Sequence, residues 1–215
     1  MLILVVFVVV IAIGVFVYMS GTGLSKSYAQ FETAQSGYEE AAYKPGAEEN
    51  PVRQEVNMLL SQVLQVEMTQ QERIDKARQG ITRLNDMEEQ IDEIKAKGDV
   101  AAPLLDSFEK KANSPAALSH RADLTKLIAL SKRQAEIISD IRGLSYRADY
   151  HTTEVFERII DDAGEMTDAH KTYLNDQIPQ LEEQFNKRTN LYTELENNRG
   201  QMNALATKNG LPSTE

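Results

Sequence analysis

The chain contains neither cysteine nor tryptophan among its 215 residues. Without cysteine it forms no disulfide, no thiolate metal site and no cysteine nucleophile, a composition that suits either side of a bacterial-type membrane. Alternation of apolar and polar residues, the pattern typical of half-buried strands, is also missing from the polar part of the sequence. These absences favour an all-α protein that folds without covalent cross-links.

Basic residues are in deficit, with 23 Lys and Arg against 33 Asp and Glu, so the formal net charge is −10. Nucleic-acid binding requires a basic face for the phosphates, and adhesion to anionic lipid requires clustered Lys or Arg. The charge balance therefore argues against both classes of partner.

One long hydrophobic run stands out, from Leu2 to Met19, with no charge, amide or proline. As a helix it would be roughly 27 Å long, close to the thickness of the bilayer hydrocarbon. The alternative is a cleaved signal peptide, but no basic residue precedes the run and the best cleavage site, Ser27-Tyr28-Ala29, lies beyond it. The run predicts a retained anchor and a bilayer contact through residues 2–19.

The predicted organisation is a transmembrane anchor at 1–20, a juxtamembrane helix and turn at 21–50, an elongated helical bundle at 51–209 and a tail at 210–215. The expected localisation is a single-pass membrane protein with an extracytoplasmic helical body. The few Lys and Arg near the anchor leave its orientation open.

Apolar residues recur at helical spacing throughout the polar body. They predict a second helix from about 51 to 97, with a stutter at 67–73, closed by Gly98-Asp99. A connector at 99–114 with a short helix should follow, and Ser114-Pro115 should start a third helix reaching about 174. We call the stripe of residues at heptad spacing along one face of this helix its seam. The seam is formed by Leu127, Leu130, Gln134, Ile137, Ile141, Leu144, Ala148, His151 and Val155.

Pro179 admits two interpretations, a turn at about 175–178 or a kink within a continuous helix. A turn would let the last helix fold back, and we expect it for that reason. Together with the connector at 99–114, it predicts an elongated antiparallel, coiled-coil-like helical hairpin, thickened to three or four helices.

Residues with catalytic potential are few. The three histidines fall at or near seam spacing, and His151 with Glu154 reverses the order that di-metal bundles use. No Ser or Thr has a base at motif spacing, and no phosphate-binding loop occurs. We therefore expect no catalytic residue, no metal and no cofactor.

Polar groups within a seam weaken it and specify register or partner. Here they are Gln35, Gln70, Gln134, His151 and Arg188. Candidate partner-contact residues are the apolar face of the connector and two seam positions, namely Leu104, Leu105, Phe108, Gln134 and His151.

The expected function is a non-enzymatic, membrane-anchored scaffold or tether, a subunit or adaptor that contacts other membrane or envelope proteins or a second copy of itself. The alternative is a sensory or regulatory bundle that binds a small ligand and signals to the membrane. A metal-dependent enzyme is the least favoured class.

Overall fold

A computed structural model describes residues 23–47, 50–65 and 67–212, with the backbone alone described at residues 116, 174 and 178. Its helices are α1 (Leu24–Tyr43), α2 (Pro51–Val63), α3 (Gln70–Ala112), α4 (Arg121–Asp161) and α5 (Asp168–Lys208). Short 3-10 helices occupy Lys44–Gly46 and Pro115–His120. No strand occurs in these ranges, and the long helices form a bundle, so the predicted all-α class is confirmed.

The start of α2 follows the sequence signal. Asn50 is its N-cap, and its Oδ1 accepts hydrogen bonds from the backbone N–H groups of Val52 at 3.0 Å and Arg53 at 3.2 Å. Pro51 occupies the first helical position, where the missing N–H costs no hydrogen bond. The cap therefore orients the first turn of α2, which carries Arg53.

The prediction of one helix over 51–97 is wrong, because α2 ends at Val63 and α3 begins at Gln70. The two helices then pack antiparallel, with Lys76 Nζ 2.8 Å from Gln62 Oε1 and Arg83 Nε 2.8 Å from Glu55 Oε2. The polar patch interpreted as a stutter is where the chain reverses. Folding back buries the apolar faces of both helices against each other.

Gly98 does not close a helix, and the predicted connector at 99–114 is wrong over most of its length. α3 continues through Gly98 and Pro103 to Ala112. A Cβ on Gly98 would lie 2.9 Å from Cζ of Tyr38, so this glycine allows the tyrosine ring to approach the helix. Close packing, and not a C-cap, accounts for Gly98.

The predicted third helix at 115–174 is divided as well. Its first residues, Pro115–His120, form a 3-10 helix, and α4 ends at Asp161. The reversal lies at 162–167 and not at 175–178, and Ala163 and Gly164 adopt positive φ angles of 53° and 76° there. Pro179 lies inside α5, as the continuous-helix interpretation required.

The described residues divide into two compact units. Unit 1 comprises 23–38, 97–136 and 196–212. Within it, Tyr28 and Phe31 of α1 pack against Phe108 of α3, with ring centroids 5.0 and 6.4 Å from that of Phe108. The C-terminal end of α5 runs antiparallel to α4, since Lys208 Nζ lies 2.7 Å from Asp123 Oδ2 and Asn198 Nδ2 donates to the Leu130 carbonyl at 2.8 Å.

Unit 2 comprises 39–47, 50–65, 67–96 and 137–195. Its core joins α2, α3 and α4 through the buried residues Val56, Leu59, Val63, Ala77, Leu84, Val155, Phe156 and Ile159. The predicted seam residues Ile137 and Ile141 are fully buried, and Leu144 is 7% exposed. His170 Nε2 of α5 lies 3.3 Å from the Arg158 carbonyl oxygen of α4, and Tyr173 donates to Glu154 at 2.8 Å, so these two helices are antiparallel here too.

The expected localisation requires correction. Among the helices of residues 23–212 that the structure describes, none is long and apolar enough to cross a membrane. α3, α4 and α5 carry charged side chains along most of their turns, which a hydrocarbon layer would not accommodate. The single-pass assignment is therefore not supported. The predicted anchor and bilayer contact at residues 2–19 lie outside the described residues.

Candidate functional site

A cavity of about 620 Å³ lies within unit 2, among α2, α4, α5 and the segment that follows α1. We call it the unit 2 cavity. Its apolar lining includes Leu60, Leu144, Ala148, Leu181 and Phe185, and its polar and charged lining includes Arg53, Gln54, Asn57, Glu182, Gln184, Asn186 and Arg188. Cavities of this size with a mixed lining are typical of small-molecule sites.

Helical periodicity places these side chains on one side of each helix. On α4, Leu144, Ala148 and Thr152 are spaced by four residues. On α5, Leu181, Gln184, Phe185 and Arg188 follow the i, i+3, i+4, i+7 pattern of a single helix face. Glu182, Phe185 and Asn186 are exposed, so the cavity opens to solvent beside α5.

Arg53 and Asp149 form an ion pair beside the cavity, with Nη1 of the arginine 2.8 Å from Oδ1 of the aspartate. The side chains are only 16% and 10% exposed. The approach is close but poorly aligned for hydrogen bonding. Both carboxylate oxygens, and Nε and Nη2 of Arg53, are buried without a hydrogen-bond partner in the described ranges.

Burial dominates the electrostatics of this pair. It raises the pKa of the Asp149 carboxyl above its usual range, and the neighbouring Arg53 guanidinium limits that rise. The ion pair therefore neutralises the charge of Arg53 at the cost of desolvating a carboxylate.

Arg188 is the second cation of the cavity. Burial lowers the pKa of its guanidinium from the usual value, as does repulsion from Arg53, while attraction to Tyr192 and Asp149 opposes that change. Its Cζ lies 5.8 Å from the centroid of the Phe185 ring. Of the residues that the structure describes, none has a carboxylate within ion-pair distance of Arg188, so its positive charge is not neutralised by a direct contact.

The wall after α1 depends on Gly46. A Cβ there would lie 2.4 Å from the hydroxyl oxygen of Tyr192. That hydroxyl donates to the Ala42 carbonyl at 3.0 Å, and its ring stacks on Tyr43 with centroids 4.9 Å apart. Glycine at this position lets the segment approach the ring and form the edge of the cavity.

The residues predicted to contact partners lie elsewhere. Leu105 and Phe108 are buried in the core of unit 1, and Leu104 packs against that core. Gln134 is also buried in unit 1, where its Oε1 accepts from Asn198 Nδ2 at 3.1 Å. These intramolecular contacts account for their residue types, and partner contact at these positions stays a prediction.

His151 is partly exposed and belongs to unit 2, with Nδ1 3.5 Å from Glu154 Oε2. Glu154 also accepts from the hydroxyl of Tyr173, which lowers the pKa of its carboxyl. In the described ranges no group of three or more His, Asp or Glu side chains is arranged to hold a metal ion. Partner contact through His151 likewise stays a prediction.

Sequence reasoning identified Arg188 as a polar seam residue but missed Arg53 and Asp149. Arg53 lies in the first turn of a capped helix and carries no motif. Asp149 follows the seam residue Ala148, and an acid next to a seam is a weak signal of a buried ion pair. Only the proximity of α2 and α4 brings the two residues together.

Comparison with known proteins returned no match to this chain from protein-family models, curated proteins or solved structures.

Proposed function

We propose that the chain is a non-enzymatic helical bundle that binds a small molecule in the unit 2 cavity. The observation that carries this proposal is the cavity itself, about 620 Å³ in volume and lined by leucine side chains together with arginine and amide side chains. Apolar walls supply affinity by removing ligand surface from water, and a few polar groups orient the ligand. This corresponds to the ligand-binding alternative of the sequence analysis, without its membrane component.

To test the proposal, a large side chain is introduced into the cavity and ligand binding is measured. Ala148 lines it from α4, whereas Ala129 is an exposed alanine of the same helix. We expect the full chain to bind one equivalent of the neutral aromatic probe 2-naphthol saturably, as measured by probe fluorescence. Ala148→Trp should weaken that binding about tenfold or more because the indole occupies ligand space.

The matched control is Ala129→Trp, which adds the same side chain on the solvent-facing surface and should leave the affinity within twofold. Circular dichroism establishes that each variant keeps its helix content. The proposal is refuted if 2-naphthol, 2-naphthoate and 2-naphthyl phosphate all fail to bind saturably, or if the parent and Ala148→Trp bind the probe with equal affinity.

A second proposal is that the bundle acts as a scaffold or adaptor in a protein assembly. It is supported by two large apolar side chains of unit 1, Val100 at 57% and Leu118 at 60% exposure. Sedimentation of the chain and of the Val100→Ser and Leu118→Ser variants tests whether these residues mediate self-association. Unchanged sedimentation across the three proteins counts against their role in self-association.

A further inference from the structure

Among the described charged groups around the unit 2 cavity, one partly buried positive charge has no counter-ion contact. Arg53 is paired with Asp149, whereas Glu182 is exposed and hydrated by solvent. Arg188 is therefore the cation without a counter-ion, although the chain as a whole carries a formal net charge of −10. A partly buried cation without a counter-ion is costly, and an anion at that place recovers the lost interaction.

The hydrogen-bonding capacity of the arginines agrees with this charge count. A guanidinium carries five N–H donors in a planar fork that matches the oxygens of carboxylates and phosphates. Nε and Nη2 of Arg53 are buried and donate to no acceptor in the part of the chain that the structure describes. Arg53 and Arg188 both line the cavity and their like charges repel, so an anionic group bound there would relieve that repulsion.

The cavity also has large apolar surfaces beside its polar lining. Leu60, Leu144 and Leu181 approach from three different helices, and the Phe185 ring, 57% exposed, stands at the opening. A bound molecule with an apolar body would cover these surfaces while its charged end faced the arginines. Inorganic anions would leave the apolar walls and most of the volume unfilled.

We propose that the ligand is an amphipathic organic anion with one carboxylate or phosphate group, which Arg188 binds with Arg53 beside it. The ligand's apolar body packs against Leu60, Leu144 and Phe185. This inference rests on the proposed small-molecule function, and it adds the chemical class of the ligand.

The experiment compares probes that share one apolar body: neutral 2-naphthol, 2-naphthoate and 2-naphthyl phosphate. The full chain should bind at least one of the two anions about tenfold more tightly than 2-naphthol, because charge-assisted hydrogen bonds are stronger than neutral ones. The tighter of the two anions identifies the head group. Anion affinity should also fall as salt concentration rises.

Two variants with opposite effects on charge make the test specific. Arg188→Gln should lower affinity for the tighter anion about tenfold and leave 2-naphthol within twofold. Asp149→Asn should raise anion affinity, because it frees the Arg53 guanidinium from its ion pair. The control Arg78→Gln makes the same charge change at an exposed position of α3 and should alter neither affinity.

Failure of the inference can be distinguished from failure of the proposed function. If 2-naphthol binds but neither anion binds more tightly, or if Arg188→Gln weakens all three probes equally, the anionic ligand class is wrong and the binding function stands. If none of the probes binds saturably, the function itself is wrong. Glu48 and Glu49, outside the described residues, are tested as Glu48→Gln/Glu49→Gln. A tenfold gain in anion affinity there would show that the chain itself supplies the counter-ion and would overturn the inference.

Discussion

Gly164 lies just after α4, in the left-handed region with a φ of +76°. A Cβ at this position would lie 2.4 Å from the carbonyl oxygen of Gln70, a backbone atom that has little freedom to move. At Gly143, within α4, no described atom beyond the neighbouring backbone of the same helix lies within 4 Å of the place where its Cβ would be. The two glycines therefore differ in what they contribute: one allows a chain reversal, and the other only weakens a helix.

Alanine substitutions at these two glycines should have opposite effects. Gly164→Ala should lower the free energy of unfolding by about 2 kcal/mol or more, because a left-handed alanine is strained and its Cβ collides with the backbone. Gly143→Ala should raise it by about 0.5–1 kcal/mol, since alanine favours the helix. Urea denaturation of both variants measures the change. Equal effects of the same sign would contradict this account.

Among the helices, Arg73 forms hydrogen bonds both to the segment that connects α2 and α3 and to the segment that follows α4. It is 5% exposed and donates to four backbone carbonyls: Nε to Val63 at 2.9 Å, Nη1 to Gly164 at 2.6 Å, and Nη2 to Gln65 at 2.8 Å and Met68 at 3.3 Å. α2 ends at Val63 and α4 ends shortly before Gly164. Carbonyl groups at helix C-termini carry partial negative charge, so the cation stabilises two helix ends together.

Removing this guanidinium should destabilise unit 2. Arg73→Met should lower the free energy of unfolding by about 3 kcal/mol, because the buried carbonyls of Val63 and Gly164 lose their donors. Arg73→Lys should recover only part of the loss, since one ammonium does not reach four carbonyls. Arg78→Met, an exposed change on the same helix, is the control and should stay within about 0.5 kcal/mol of the parent. A similar small effect for Arg73→Met would show that the contacts are not stabilising.

For the molecule as a whole, pH acts through carboxyl groups whose pKa differs between the folded and unfolded chain. Hydrogen bonds or ion pairs lower the pKa of several of them, including Asp92 and Asp123, and these groups make the fold more stable as pH rises. Asp149 has the opposite sign, because burial raises its pKa. Above the unfolded pKa of about 3.9, the folded chain keeps a proton that the unfolded chain has released, so this contribution falls as pH rises.

A difference measurement isolates the contribution of Asp149. The free energy of unfolding of the parent minus that of Asp149→Asn should decrease as pH rises from about 4 through the raised pKa of the folded carboxyl. Urea titrations at intervals between pH 4 and 7 measure it, and the loss of the Arg53 partner in the variant shifts the curve by a constant. A difference that rises with pH would mean that Arg53 lowers the pKa of Asp149 by more than burial raises it.

The sequence predicted helix starts and buried seam positions well, because these signals depend on residues that are close together in the chain. Pro51 starts α2, Ser114 and Pro115 start the 3-10 helix before α4, and the seam positions Ile137 and Ile141 are fully buried. The unit 2 cavity was not predicted, since Leu144 and Ala148 carry the same apolar signal whether they face a core or an empty space. Its ion pair joins residues 96 positions apart, Arg53 and Asp149.

The all-α class and the positions of many helix starts follow from periodicity and capping, which involve residues only a few positions apart. Helix ends could not be predicted from local signals alone, because Gly98 and Pro103 are residues that favour termination and yet lie within α3. At Gly98 the Tyr38 ring packs against the helix, and at Gly164 the chain reverses in close contact with the backbone carbonyl of Gln70. Contacts between distant segments can offset about 1 kcal/mol of unfavourable helix propensity at a glycine, and more at a proline. The energies of such contacts depend on which surfaces meet in the fold, and a single chain's pattern does not contain that information.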